Sequence, residues 1–330
     1  MRRIFVTTLF FSVLIFSFHL RAEYHKVIIQ LPWYVSVEFS GPLLAKELGL
    51  DKKHGVVFEF LQYAPNVDLI ETVISGKADM GITDGSSIII NRAKGKNITA
   101  IWAQMQTSPV GVCTLEDSGI QAISDIVGKK FGIQKDYEYL LDVFLSNASI
   151  PKNKIHLVYI EGDPVIPLES RRVDAVGCFD TYQPPIMMIR GHKPKIIRSD
   201  ELGFNFYEQV FFVSSEKLNQ NRQYLVSALR AIKEGWVYAF AHNDEAVKIV
   251  TTSYGTFNPN EGLLKDQNDH TRHQSAVIKL IRWYMTKGVG SRLGMMRMQR
   301  WQDSIAILKR NGLVDVAPEL HKLFTPSFVE

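Results

Sequence analysis

Val73-Ile74-Ser75-Gly76-Lys77-Ala78-Asp79-Met80-Gly81-Ile82-Thr83-Asp84 reads as the end of a helix, a tight turn and a short buried strand. Leu168-Glu169-Ser170-Arg171-Arg172-Val173-Asp174-Ala175-Val176-Gly177-Cys178-Phe179-Asp180 repeats that reading about ninety-five residues later. Helix–turn–strand is a common unit, but here both strands end in an aspartate followed by small or polar residues. In an open α/β sheet the carboxyl ends of strands open into the crevice where ligands sit. Two α/β lobes, each aiming such a strand end at the other, form a clamp around a small molecule.

Around the first copy, strands are expected at 26–31, 56–62, 80–83 and 99–104, with helices at 41–50, 67–75 and 87–94 between them. That alternation predicts a largely parallel sheet covered on both faces. A second unit follows, with strands at 110–115, 131–133, 155–160, 175–179 and 195–197 and a helix at 139–148. The β-type run 209–214 carries the chain back to the first lobe. Beyond it the pattern is helical at 222–242, 244–252, 274–287 and 298–311, broken by a polar loop at 258–269. Crossings near Cys113 and Phe212 then divide the chain into residues 23–113 (lobe 1), 114–211 (lobe 2, inserted) and 212–330 (the return of lobe 1). Two strands joining two lobes form a natural hinge.

The 330 residues suffice for two lobes, and 46% hydrophobic with 22% charged residues is ordinary for a globular protein. Residues 1–22 stand apart. Arg2 and Arg3 precede an apolar run from Ile4 to Phe18, and Leu20-Arg21-Ala22 supplies a cleavage site, the layout of a secretory signal peptide. The run is short for a membrane span. Export to the periplasm is the expectation. Removing this segment takes away Arg2, Arg3 and Arg21 and no acid, which brings 38 Lys and Arg down to 35 against 34 Asp and Glu. No Lys/Arg block suggests a phosphate-tracking stripe, so no nucleic acid is expected. Cys113 and Cys178 can pair in an oxidising compartment or stay as buried free thiols. Two cysteines without short spacing argue against structural zinc, and the His270–His273 pair lacks an acid between its members, so neither metal nor cofactor is expected.

From Trp33 onward the chain resembles the periplasmic substrate-binding proteins for thiamine-pyrimidine precursors, which are grouped with the nitrate, sulfonate and taurine binding proteins of bacterial ABC importers. The matching pieces are Gly41-Pro42-Leu43-Leu44-Ala45-Lys46-Glu47-Leu48-Gly49-Leu50 and Ser75-Gly76-Lys77-Ala78-Asp79-Met80-Gly81-Ile82. Further on come 110–132 with Asp117-Ser118-Gly119-Ile120, then 207–212, 228–239, and Arg300-Trp301 through Gly312-Leu313. The resemblance implies a type II two-lobe periplasmic binding fold, each lobe a mostly parallel sheet flanked by helices with two hinge strands. It also implies no catalysis and delivery of a small nutrient to a membrane permease by a monomer.

Candidate ligand-binding residues lie at the strand ends and the hinge. Trp33, Tyr34 and Phe39 follow the first strand, where their rings suit either stacking on a flat heteroaromatic or packing inside the lobe. The resemblance implies ligand contact for the Trp33–Tyr34 loop. Asp84, with Ser86 and Ser87, sits where a strand passes into a helix. It suits an amino group on a pyrimidine, or simply caps the helix. Many relatives carry an aromatic at Asp84. On the inserted lobe Asp180, Tyr182 and Gln183 follow the repeated strand, and relatives that bind pyrimidines often have Asn-Glu-Pro where this chain has Tyr182-Gln183-Pro184. The Gln134–Tyr137 loop starts a helix whose backbone N–H groups suit an anion, which keeps a sulfonate, taurine or nitrate ligand as the alternative. Tyr207 and Glu208 precede the return crossing and face the cleft from the hinge.

Two other functions fit less well. Fungal thiamine-pyrimidine synthases share the fold and consume one of their own histidines, but their cysteine cluster has no counterpart here. A sensor would need a separate signalling partner. The expectation is therefore a binding protein and not an enzyme.

Overall fold

The computed structural model describes residues 24–256 and 262–326, so the expected signal peptide lies outside the described residues. The chain runs β1 (His25–Gln30), α1 (Ser40–Glu47), α2 (Leu50–Lys53), β2 (Val56–Leu61), α3 (Leu69–Ile74), β3 (Met80–Thr83), α4 (Gly85–Ala93) and β4 (Ile98–Met105). It continues with β5 (Val110–Leu115), β6 (Lys130–Ile133), α5 (Glu138–Asn147), β7 (His156–Tyr159), α6 (Val165–Glu169), β8 (Ala175–Phe179), α7 (Gln183–Ile189) and β9 (Pro194–Arg198). Then come β10 (Glu208–Ser214), α8 (Ser215–Gln220), α9 (Arg222–Ala241), α10 (Asn243–Tyr254), α11 (Gln267–Thr286), α12 (Met298–Arg310) and α13 (Leu320–Leu323).

Two five-stranded sheets result, ordered β2-β1-β3-β10-β4 and β7-β6-β8-β5-β9. The orders superimpose: β10 runs antiparallel to β3 and β4, and β5 antiparallel to β8 and β9. Each sheet thus receives its antiparallel strand from the chain as it arrives from the other sheet. The crossings fall at 106–109 and 199–207, ahead of the positions expected near Cys113 and Phe212. The reason is burial. All six residues of β5 are buried, as are the central five of β10, so an unbroken apolar run does not say which sheet it joins.

The repeated stretch is one device used twice. Asp79 donates its N–H to the Ile28 carbonyl at 2.8 Å and accepts the Ile28 N–H on its carboxylate at 2.7 Å. Asp174 makes the same two bonds with Lys130, each at 2.8 Å. In both sheets an aspartate ahead of the central strand therefore pins its parallel neighbour just before the pairing between them begins. The turn before it needs a left-handed residue, supplied by Gly76 at φ +76° in one copy and by Arg171 at φ +56° in the other. Arginine there costs more than glycine, and its guanidinium reaches Asp117 at 2.6 Å.

Side-chain alternation places the layers. In β10, Phe211 and Val213 face α1, α9 and α11, whereas Val210 and Phe212 face α3, α4 and α12. In the second sheet Phe131 and Val112 pack under α5, and Cys113 and Val176 under α6 and α7. Cys113 and Cys178 form a disulfide between the adjacent strands β5 and β8, which settles the alternative the sequence left open. Among the described residues no helix is long and apolar enough to cross a membrane.

The helix expected at 41–50 is two, α1 and α2, and the expected elements include neither α7 nor α8 and only the end of α6. Helix α11 begins at Gln267, capped by the Asp266 carboxylate on the Asp269 N–H at 2.9 Å, inside the stretch expected as a polar loop. Eight of its side chains are buried, from His270 to Met285, and it packs on β4 of one lobe and α7 of the other.

Candidate ligand-binding site

A cavity of about 580 Å³ lies between the two lobes, and both contribute walls. Of the expected residues, Trp33, Tyr34, Phe39, Asp84, Ser86, Gln134, Tyr137, Tyr182, Gln183 and Glu208 line it. Pro32 ends β1, and the chain turns outward through Trp33 and Tyr34, which are 47% and 56% exposed. They are not core. With Tyr63 they form a three-ring cluster, each pair of centroids 4.7–5.3 Å apart. Phe39, by contrast, is buried in the first lobe's core and only its edge of that core meets the cavity. On the facing lobe Tyr137 stands edge-on to Phe179 at 6.2 Å, and Tyr182 stands edge-on to His273 at 5.5 Å.

Asp84 caps α4. It accepts the Ser87 N–H at 2.8 Å and both the Ser86 and Ser87 hydroxyls, so three hydrogen bonds fix it at the cavity wall. A carboxylate has about four acceptor positions, which leaves one for a further donor. Gln183 accepts the Phe179 N–H at 2.7 Å, and Gln134 donates to the Gly162 carbonyl at 2.7 Å. Both amides are thus occupied in holding loops. The Gln134 loop passes through a 3-10 turn (Lys135–Tyr137) before α5 begins.

Two expected residues are placed elsewhere. Tyr207 is 1% exposed and packs on Trp301, with its hydroxyl accepting the Arg297 N–H at 2.8 Å. Asp180 is buried beneath the lobe seam, where it accepts from Arg198 Nε at 3.0 Å and from the Tyr284 hydroxyl at 2.8 Å. Neither lines the cavity. The two repeated strand ends are equivalent in topology but not in use, because α11 covers Asp180 whereas Asp84 lines the cavity.

Sequence reading missed Glu38, Ser108, Tyr139, Thr181, Gln209, His270 and His273, all of which line the cavity. Glu208 and Gln209 both do so although successive strand residues should point to opposite faces. Gln209 has φ +48°, and that left-handed twist turns both side chains inward. Backbone strain of this kind is commonly kept at functional positions. Gln209 donates to the Glu38 carboxylate at 3.4 Å and accepts from Gln104, which in turn accepts from the Trp236 indole at 3.1 Å. Ser108 of the first crossing donates at 2.8 Å to Glu208, the first residue of β10 after the second crossing, so the hinge is tied across the cavity floor. Burial, and then the nearby Asp84, pushes the Glu208 carboxyl up to about 8. Burial likewise raises Glu38.

The two histidines lie on one face of α11, as their i, i+3 spacing allows. His270 pairs with the Thr256 hydroxyl at 2.7 Å, and His273 Nε2 with the Tyr182 carbonyl at 3.2 Å, a contact between lobes. Burial holds His273 down to about 4, so it is neutral at physiological pH. An unfolded histidine binds its proton near 6.5. The stability that His273 lends is therefore complete above pH 6.5 and is lost as the pH falls from there towards 4. Urea titrations across pH 4–7 should show a steeper acid loss in the wild type than in His273→Gln; parallel curves would contradict the buried neutral imidazole. Among the described residues no group of three His, Cys, Asp or Glu is arranged to hold a metal.

Comparison with known proteins adds family and fold. The family model described as NMT1/THI5 like matches residues 36–246. A 4-amino-5-hydroxymethyl-2-methylpyrimidine phosphate synthase of Legionella pneumophila is 24% identical over 229 residues, covering 68% of this chain and 72% of the relative. A putative thiamine biosynthesis protein of Haemophilus influenzae is 20% identical, covering 72% and 74%. The periplasmic aliphatic sulphonate binding protein SsuA from Escherichia coli superimposes with a TM-score of 0.67 over 90% of this chain and 96% of its own, at 15% identity. That likeness is one of fold.

Proposed function

The chain belongs to the NMT1/THI5-like family, and from that premise we propose that it is the solute-binding component of an ABC importer, which captures a small heteroaromatic such as a thiamine pyrimidine precursor and presents it to a membrane permease. The observation that carries this reading is the inter-lobe cavity of about 580 Å³ with aromatic rings on both walls, Trp33 and Tyr34 opposite Tyr137, Phe179 and Tyr182. Its volume lies within the range of small-molecule sites, and its walls suit a flat ring. The two hinge crossings, tied by Ser108 and Glu208, permit opening and closing around the solute. Closure follows from the solute's greater affinity for the closed arrangement.

Export supports the same reading. A disulfide between Cys113 and Cys178 suits an oxidising compartment, and the amino-terminal segment has the layout of a signal peptide. The periplasm is the proposed location, and a monomer the proposed state. The synthase names belong to the relatives. Here both cysteines are consumed in the disulfide, and the cavity carboxylates and rings read as a recognition surface rather than a nucleophile with its base.

The test is thermal shift against thiamine, its aminopyrimidine precursors, riboflavin, taurine, alkanesulfonates and nitrate. A ring compound should raise the melting temperature. Trp33→Ala should weaken its binding on the order of ten-fold, from lost stacking, with the melting temperature of the empty protein unchanged. A large fall in that melting temperature with normal binding by the folded fraction would make Trp33 a core residue. A shift with sulfonates alone would remove the heteroaromatic reading.

A further inference from the structure

The charges of the cavity are one-sided. Glu38, Asp84, Asp163 and Glu208 line it, and among the described residues no lysine or arginine does. Its two histidines add no positive charge at neutral pH, since burial lowers both. Three of the acids converge on one spot. Thr83 pairs with Val210, and the Gly85 N–H donates to the Tyr207 carbonyl at 2.9 Å, which sets Asp84 beside the Glu208–Gln209 step. Gln209 then links that step to Glu38.

Glu38, Asp84 and Glu208 are half-buried, and carboxylates brought together there are costly unless they keep a proton or a cation meets them. An anionic solute would add to that cost, since like charges repel strongly in a low-dielectric cavity. Resting on the reading of this cavity as a solute site, we infer that the solute is a flat ring carrying a positive charge, held at Glu208 with Asp84 and Glu38 and faced by Trp33 and Tyr34. The rings contribute as well as the acids, because an aromatic face attracts a cation.

The inference has a proton signature. Glu208 is faced by Asp84 from the β3–α4 turn, by Glu38 from the turn before α1, by Tyr139 from α5 of the other lobe and by the Ser108 hydroxyl of the first crossing. With its carboxyl near 8, it holds a proton in the empty cavity at pH 7. A cation beside it favours the carboxylate, so binding expels that proton. Affinity for the cation then rises with pH up to about 8 and levels off above it.

Titration calorimetry at pH 7 in two buffers of different ionisation enthalpy reads both quantities. The probes are thiamine, whose thiazolium ring is permanently charged, 1-methylnicotinamide, whose pyridinium ring is, neutral 4-amino-5-hydroxymethyl-2-methylpyrimidine, and an alkanesulfonate. A charged ring should bind at least about ten-fold more tightly than the neutral one, with release approaching one proton. At pH 9 the release should vanish. Glu208→Gln should cost the charged ring on the order of ten-fold and abolish the release, while the neutral ring is little changed. Wild-type proton release stands as a test even where that variant fails to fold. Binding of the neutral ring as tightly as either charged one, without proton release, overturns the inference and leaves ring capture standing. Preference for the sulfonate, or binding of no ring at all, overturns both.

Discussion

Asp180→Ala should destabilise the protein by about 3 kcal/mol and part its lobes, although Asp180 never meets the cavity. Its buried carboxylate accepts from Arg198 on β9 and from Tyr284 on α11, so one group ties the second lobe to a helix packed in the first. Removing it leaves the Tyr284 hydroxyl, in a buried residue, without an acceptor and the half-buried Arg198 guanidinium without its counter-charge. Arg198 and Lys287 also lie over the Trp283 ring at 5.5 and 4.4 Å, and Lys287 reaches Asp200 at 2.6 Å, so the seam is a connected set of charges. Pairs that share partners lose more together than singly. The expected readouts are a melting temperature lower by about 5–10 °C and a larger radius of gyration in small-angle scattering. Asp180→Asn should recover part of both. Loss of solute binding with neither change would return Asp180 to the ligand contacts.

Gly235→Ala should be nearly as costly. A Cβ at Gly235 in α9 would stand 2.0 Å from the Gly41 carbonyl oxygen in α1, backbone against backbone. No side chain can rotate away, so α1 must move off α9. Overpacking commonly costs about 1–3 kcal/mol when side chains can adjust, and here it exceeds the roughly 1 kcal/mol that alanine gains over glycine within a helix. The expectation is a net loss of about 2–3 kcal/mol in urea unfolding. Function should follow, because α1 succeeds the turn that carries Glu38 and Phe39 to the cavity floor. A neutral or stabilised Gly235→Ala would mean that the two helices meet less closely than the structure has them.

Much of the fold was legible because its strands are short buried runs bracketed by glycine, proline and helix caps. The repeat was legible for a local reason: each copy needs a left-handed turn and then an aspartate that pins the neighbouring strand. What the sequence concealed was which sheet a fully buried strand joins, and so where the crossings fall. The α11 start was hidden too, since Asn268, Asp269, Thr271 and Arg272 read as loop while His270 and His273 face inward. For the site, the residues alone left Trp33 and Tyr34 equally suited to cleft or core, and the family resemblance is what favoured the cleft. Glu38 stayed hidden, as a lone acid between apolar residues gives no sign that its turn borders a cavity. Asp180 was placed by analogy between strand ends, and the analogy failed where α11 covers that end; Tyr207 was placed by its nearness to the return crossing, but its ring packs on Trp301.

A crystal structure grown with thiamine tests whether a ring solute is held between the lobes. One ring system should lie against Trp33 and Tyr34, its positive charge towards Glu208, with residues of both lobes in contact. Thiamine held by one lobe alone, or seated outside this cavity, would contradict capture between the lobes.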